Sequence, residues 1–368
     1  MTALHATVAG WLLGPPSGAN RRLLALLDAA APLLRDGERI TVLHAEGFVP
    51  PRTVPAITWQ PIAIPPRPTL QRARAERHLL AAAITALGAN VHEHGFLPLP
   101  PLPVPTALLL HDLRAVDGMT RWPRWLAREV LRRSLRRAAT VVVPSEWTAG
   151  RVRELLPELG ERVVVVPNGV ALPSASPTPP PPLPPNGFLL HTGHLEARKN
   201  LAVVVAALAR LPRATRPALW LVGADAGHRT SLEARIAALE LGDDVRFCGA
   251  VDDATLAALY AAARAVVVPS KHEGFGLPVL EAFAHGTAVL CADATALPEV
   301  AAGRATLLPP DDDAAWARAI AALPIAEEPD APARRSRLAH AAAHDWTSAA
   351  QRWLDVLRRT ANTPCSPD

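Results

Sequence analysis

Two carboxylates, Glu273 and Glu281, bracket a run of Gly274, Phe275, Gly276, Leu277 and Pro278. Two glycines let a backbone approach a ligand closely, and Pro278 suits the first position of a helix. A helix opening there would aim its unpaired N–H groups and positive dipole end at an anion, and a diphosphate fits such a place. Carboxylates beside a phosphate site do not bind phosphate; they suit hydroxyls, on a sugar or a ribose. Gly286 would end the helix. The residues also permit a plainer outcome, a capped helix on which Glu281, expected in the first turn, merely favours the dipole.

A second stretch, Gly193, His194, Leu195, Glu196, Ala197, Arg198, Lys199 and Asn200, also follows a strand-like run and opens a helix, with Asn200 as the expected N-cap. Lys199 and Arg198 there could clamp the same diphosphate; taken alone, the stretch reads equally as a basic turn on a solvated face. Only Lys199 and Lys271 among the 38 basic residues are lysines. A compact ammonium kept in so Arg-rich a chain is a hint that it is wanted, because guanidinium is not its equivalent.

These residues need rigid carriers. Apolar runs at 188–192, 218–222, 245–248, 265–268 and 288–291 read as strands. Helical patterns at 200–211, 230–241, 253–263, 278–285 and 312–322 alternate with them. The first half shows the same alternation. Its strands are expected at 4–13, 40–44, 90–94, 107–111, 140–143 and 163–166, its helices at 21–34, 69–87 and 122–139, with Ser17 as an N-cap. Continuous apolar strands alternating with helices imply α/β, doubly wound parallel sheets covered on both faces. Ligands in such folds sit at the carboxyl ends of strands. Eight prolines within residues 173–185 make a stiff spacer. The expected organisation is therefore a Rossmann-like domain over 1–172, a Pro-rich linker over 173–186, and a second Rossmann-like domain over 187–345. An amphipathic helix and tail over 346–368 follow.

At 49% hydrophobic and 20% charged, the chain is globular rather than disordered. A formal charge of +4 does not demand nucleic acid. The three cysteines, Cys248, Cys291 and Cys365, form neither a metal spacing nor a disulfide framework, and a reducing compartment is expected. The first thirteen residues lack a basic n-region, and no apolar run reaches the length of a membrane span, so neither a signal peptide nor a transmembrane helix is expected. His5, His44, His78, His92, His94, His228, His340 and His344 show no persuasive metal spacing. His92 and His94 would share one strand face, as a structural pair.

An ordered set of segments resembles the retaining nucleotide-sugar glycosyltransferases of family GT4, with the GT-B fold. The set comprises His111-Asp112-Leu113, Pro167-Asn168-Gly169-Val170, the stretch from Gly193 to Leu201, and the Glu-x7-Glu run from Glu273 to Gly286. Ser145-Glu146-Trp147-Thr148 and Leu297-Pro298-Glu299-Val300 belong to it as well. The resemblance implies two Rossmann-like domains facing across a cleft and a metal-independent hexosyltransferase. It implies that Lys199, assisted by Arg198, binds the donor diphosphate. Glu273 would meet hydroxyls of the transferred sugar, and Glu281 the nucleotide ribose. Backbone N–H groups of Gly274, Phe275, Gly276 and Leu277 would hold phosphate and sugar. His111 would approach the donor sugar from the first domain. The base would lie near residues 247–251, and the loop carrying Ser17 and Gly18 would face the diphosphate. The terminal helix would cross back onto the first domain. Two departures stand out: His194 occupies a position where many members carry Arg, and the loop over 14–21 differs from their shorter Gly-Gly form.

The implied partners are a nucleotide-sugar donor, GDP-mannose before a UDP-hexose, and a glycan or lipid-linked acceptor in surface-polysaccharide or lipopolysaccharide synthesis. No cofactor, metal or nucleic acid is implied. The Arg-rich stretch over 121–137, with Trp122 and Trp125, would either rest on an anionic membrane or present a solvated basic face. The expected location is cytoplasmic, with possible attachment to the inner membrane face. The competing functions are a nucleotide-sugar epimerase of the same fold and a non-catalytic carbohydrate- or partner-binding protein.

Overall fold

The computed structural model describes residues 3–11, 13, 18–50, 54–65, 69–113, 123–173, 182–325 and 327–364. The chain divides into two compact units, Met1–Gly169 with Trp346–Asp368, and Val170–Asp345. Ser17, Arg121, Trp122, Cys365 and most of the Pro-rich spacer lie outside the described residues.

In the first unit, β1 (His5–Gly10) leads to α1 (Gly18–Ala30), then to β2 (Arg39–Ala45) and β3 (Ile57–Ile62). A helical stretch follows as α2 (Thr69–Ala75), a π-helical turn (Glu76–Leu80) and α3 (Ala81–Leu87). Then come β4 (Val91–His94), β5 (Thr106–Leu109), α4 (Arg124–Arg137), β6 (Thr140–Val143), α5 (Glu146–Leu155) and β7 (Val163–Val165). All seven strands are parallel, in the order β3-β2-β1-β4-β5-β6-β7. The inner strands are buried on both faces, mostly by apolar residues, while β4 brings His92, Glu93 and His94 into the interior.

The second unit runs β8 (Phe188–Thr192), α6 (Leu201–Ala209), β9 (Ala218–Val222), α7 (Arg229–Ala238) and β10 (Val245–Gly249). It continues with α8 (Asp253–Ala262), β11 (Ala265–Val268), α9 (Leu277–Ala284), β12 (Val289–Ala292) and α10 (Leu297–Ala301). β13 (Thr306–Leu308), α11 (Asp313–Ala322) and α12 (Pro332–Ala342) complete it. Its six parallel strands take the order β10-β9-β8-β11-β12-β13. The winding reverses between β8 and β11. The crevice beyond their carboxyl ends is therefore the topological switch point, where ligands bind in open α/β sheets.

α13 (Trp346–Ala361) returns to the first unit and packs on α1 and on the sheet at β4 and β5. Its apolar face carries the fully buried Trp353, Leu354 and Leu357. Trp353 Nε1 donates to the buried Glu93 carboxylate on β4. Arg358 grips Glu38 with Nε to Oε1 at 2.9 Å and Nη2 to Oε2 at 2.7 Å. That bidentate pair holds the Glu38 carboxyl below its usual range.

Several expectations shift. β3 and β13 were not expected as strands: both are edge strands, β3 contains Pro61, and most of their residues are at least partly exposed. The helix expected over 69–87 holds a π turn that points Glu76 fully inward, against Trp11 Nε1 at 3.1 Å. Replacing Trp353 with Ala should cost about 3–5 kcal/mol of unfolding free energy, by emptying a large volume and taking a donor from Glu93. Urea denaturation of the full chain would measure it.

Candidate active site

Leu189 and Leu190 of β8 pair with Ala265 and Val266 of β11. The loops leaving these two neighbours therefore emerge side by side. The loop after β8 passes Gly193 and Leu195 and turns into a short 3-10 helix, Ala197–Lys199. Gly223, after β9, holds φ +144°, and a Cβ there would collide with the Gly193 carbonyl. Glycine is thus required for the two loops to stack. Leu195 N–H donates to Ala224 O at 2.9 Å, and Ala226 N–H to Leu195 O at 3.1 Å. This stitching presents the 3-10 turn towards the switch point.

There Lys199 Nζ donates to Glu273 Oε1 at 2.6 Å. The residues lie 74 positions apart; the Lys199 side chain is buried and that of Glu273 nearly so. Arg198 Nη1 stands 3.4 Å from Glu273 Oε2. Its Nε donates to Glu196 Oε2 at 2.7 Å, and Nη1 to His272 O at 3.1 Å. In return, Lys271 N–H donates to Arg198 O at 3.0 Å. Arg198 therefore buttresses the loop after β11 while its charge faces Glu273. The other lysine turns away, to Asp311. Burial alone would raise the Glu273 carboxyl; the charges of Lys199 and Arg198 override it and bring it down to about 2.

His191, the penultimate residue of β8, lines the same place. Its Nδ1–H donates to Val267 O at 3.2 Å, which leaves Nε2 as an acceptor. Nε2 is buried and, among the described residues, has no hydrogen-bond partner. Burial and the nearby Lys199 charge lower this imidazole to about 4, so it is neutral near pH 7. A Cβ at Gly193 would sit 3.5 Å from Lys199 Nζ and 3.9 Å from His191 Nε2, so the ammonium and the imidazole flank one point above that glycine.

The loop after β11 is held further along by Glu273 N–H donating to Thr295 Oγ1 at 3.1 Å. Gly276, at φ +109°, precedes α9, and Pro278 falls in its first turn. Two local expectations are corrected. Glu281 is the fifth residue of α9, beyond the first turn, and it accepts a hydrogen bond from Tyr260 Oη at 2.6 Å. Asn200 makes no capping bond, because its φ of +53° turns the amide away, to Pro310 O at 2.7 Å.

Lys199, Arg198 and Glu273 are thus brought together, with Gly193 beneath them and Gly274, Phe275, Gly276 and Leu277 leading from Glu273 into α9. Glu281, further along α9, is held by a separate partner, Tyr260 of α8. His194 follows Gly193 in the loop after β8. His111 follows β5 in the first unit, where Gly18 opens α1. His191, Thr192 and Tyr260 were not singled out from the sequence. His191 and Thr192 end an apolar strand, and Tyr260, the single tyrosine of the chain, sits on a mostly apolar helix. Among the described residues, no group of three or more His, Cys, Asp or Glu could hold a metal ion. His92 and His94 do share a face, with His92 Nε2 and His94 Nδ1 3.3 Å apart.

Comparison with known proteins identifies the class. The family model for glycosyl transferases group 1 matches residues 182–343, and that for Glycosyltransferase Family 4 matches residues 16–172. Sucrose-phosphate synthase from Thermosynechococcus elongatus superposes with a TM-score of 0.74 at 20% identity, covering 97% of this chain and 98% of that one. WaaG, a glycosyltransferase involved in lipopolysaccharide biosynthesis, gives 0.70 at 18%, covering 96% and 99%. The fold is GT-B. The chain belongs to the GT4-type glycosyltransferases. It is 39% identical over 130 residues to O-antigen chain mannosyltransferase B of Escherichia coli, 34% of each chain. It is 30% identical over 294 residues to the D-inositol 3-phosphate glycosyltransferase of Segniliparus rotundus, 73% of this chain and 65% of that one. The chain spans about a third of the first of these relatives and just under two thirds of the second.

The buried pair has a pH signature. Glu273 titrates lower in the folded protein than its ordinary 4.5, so its stabilisation is complete above about pH 4.5 and fades as pH falls towards 2. Glu273→Gln should cost about 3 kcal/mol at pH 7, because it takes the carboxylate from the buried Lys199 ammonium. The gap to wild type should narrow steadily below pH 4.5. Urea unfolding at stepped pH would record this, and a gap that stays constant would contradict it.

Proposed function

We propose that the chain is a retaining hexosyltransferase, moving a sugar, mannose by preference, from a nucleoside diphosphate donor to a glycan or lipid-linked acceptor. The observation carrying this reading is the Lys199–Glu273 pair at the switch point, immediately before α9. Without ligand, the carboxylate occupies the ammonium as a diphosphate would. When the donor enters, Lys199 exchanges Glu273 for phosphate oxygen, and Glu273 is released to accept from sugar hydroxyls. Arg198 and the N-terminus of α9 add positive potential where the leaving diphosphate gains charge. The C1–O bond to that diphosphate breaks while the acceptor hydroxyl attacks from the same face. The hydroxyl proton passes to the departing phosphate oxygen. Positive side chains supply the neutralisation, so the reaction needs no divalent ion. Glu281 serves the ribose, and the backbone of residues 274–277 the phosphates. Relatives named as mannosyltransferases favour GDP-mannose; a neighbour from Anabaena solved with UDP and glucose keeps a UDP-hexose as the second choice.

Calorimetric titration with GDP and UDP, followed by a transfer assay with the sugar form that binds, tests this. Lys199→Ala should weaken nucleotide binding and lower transfer by about a hundredfold or more while the melting temperature shows a folded protein. Transfer should survive EDTA. Unchanged turnover in Lys199→Ala would sink the mechanism.

We also propose that the protein works against the inner face of an anionic membrane, through α4. No helix among the described residues is long and apolar enough to cross a membrane. Trp125, 72% exposed, stands beside the exposed Arg124 and Arg128 at the start of α4. Further along, Arg133 is paired with Glu129 and Arg136 with Glu158. An exposed indole flanked by arginines suits a headgroup region. Sedimentation with phosphatidylglycerol vesicles should carry the protein down at low salt and lose it at high salt, and Trp125→Ala should reduce it. Equal sedimentation with neutral vesicles would contradict the proposal.

A further inference from the structure

Tyr260, on α8, is 2% exposed and fixed on every side. Its ring stacks on His285, centroids 5.4 Å apart and planes 10° from parallel. Its carbonyl accepts from Thr287 Oγ1 at 2.6 Å. Its hydroxyl lies 2.6 Å from Glu281 Oε2 and 2.8 Å from Thr192 Oγ1. A phenol has one proton, and an ionised carboxylate can only accept. The Tyr260 proton is therefore committed to Glu281, and Thr192 must donate to the Tyr260 oxygen. The direction of the relay is fixed: Thr192 to Tyr260 to Glu281.

We infer that Tyr260 is a positioning residue that orients Glu281 for the hydroxyls of the nucleotide ribose. This rests on the donor reading above, in which Glu281 takes the ribose. Glu281 is only partly buried, and the Tyr260 phenol holds its Oε2. A short, charge-assisted bond from a buried phenol fixes the direction of that oxygen before the ligand arrives. Thr192 ends β8, one residue before Gly193, so the relay also ties the orientation of Glu281 to the strand that carries the Lys199 loop. The effect of Tyr260 passes through Glu281.

The test compares calorimetric affinities for GDP and UDP with those for their 2′,3′-dideoxy forms. Wild type should prefer the ribose form by about tenfold or more, in keeping with hydrogen bonds to a charged acceptor. In Tyr260→Phe that preference should fall about fivefold, with affinity for the dideoxy form nearly unchanged. Purely structural damage would weaken both forms alike. Thr192→Val leaves the phenol in place and removes only its donor, so it should shift the preference the same way by a smaller factor. It keeps the test valid if the Phe variant folds poorly. An undiminished ribose preference in both variants would overturn the inference while leaving the donor reading intact. Wild-type protein that binds neither nucleotide would overturn the donor reading and the inference with it.

Discussion

A buried ammonium and a nearly buried carboxylate, 2.6 Å apart, constrain everything around them. Neither charge is tolerable alone in that environment, since isolating either costs several kcal/mol. The two loops that carry them must therefore be placed to within a few tenths of an ångström, although they leave strands far apart in sequence. Adjacent parallel strands solve this problem. The register between β8 and β11 puts both loops at one end of the sheet, and the reversal of winding keeps any crossover helix from filling the space above them. Arg198 then couples the loops through their backbones, giving to His272 O and taking from Lys271 N–H. The ion pair is thus less a source of stability than a consequence of scaffolding precise enough to permit it.

How much of this is legible in the sequence depends on whether a feature is local. The inner strands are legible because burial on both faces writes a continuous apolar run, as in Val266, Val267 and Val268. Edge strands are not: β13 exposes Thr306 and Leu307, and β3 contains a proline, so neither shows the run that burial imposes. Capping chemistry fails at Asn200 for a related reason. Its residue type suits a cap, but the left-handed backbone that lets the 3-10 turn pass into α6 sends the side chain elsewhere.

Site residues divide along the same line. Glu273, Glu281 and Lys199 are visible as types at meaningful spacing within their own loops. That Lys199 meets Glu273, and that Glu281 meets Tyr260 instead of the same partners, is set by which strands are neighbours. Nothing within either segment encodes it. His191 illustrates the limit. On a run of apolar residues it reads as core, and only its position beside Val267 O and Lys199 makes its bare Nε2 meaningful.

Under the proposed reading, the balance of charge at the switch point bears on how a donor binds. Lys199 and Arg198 are already opposed by Glu273 and Glu196, so an arriving diphosphate finds no open cationic well. It must compete with a carboxylate held well below its ordinary range, and the favourable free energy is the difference between two ion pairs. Such an exchange lowers ground-state affinity without lowering the stabilisation of a leaving diphosphate, whose charge grows as the sugar departs. In that reading it also couples the two acts of the site: phosphate drawn to the Lys199 ammonium weakens its hold on Glu273, and the carboxylate turns more readily to a sugar hydroxyl. A compact ammonium at 199 suits that exchange better than a guanidinium, whose planar fork would hold the carboxylate with two bonds instead of one.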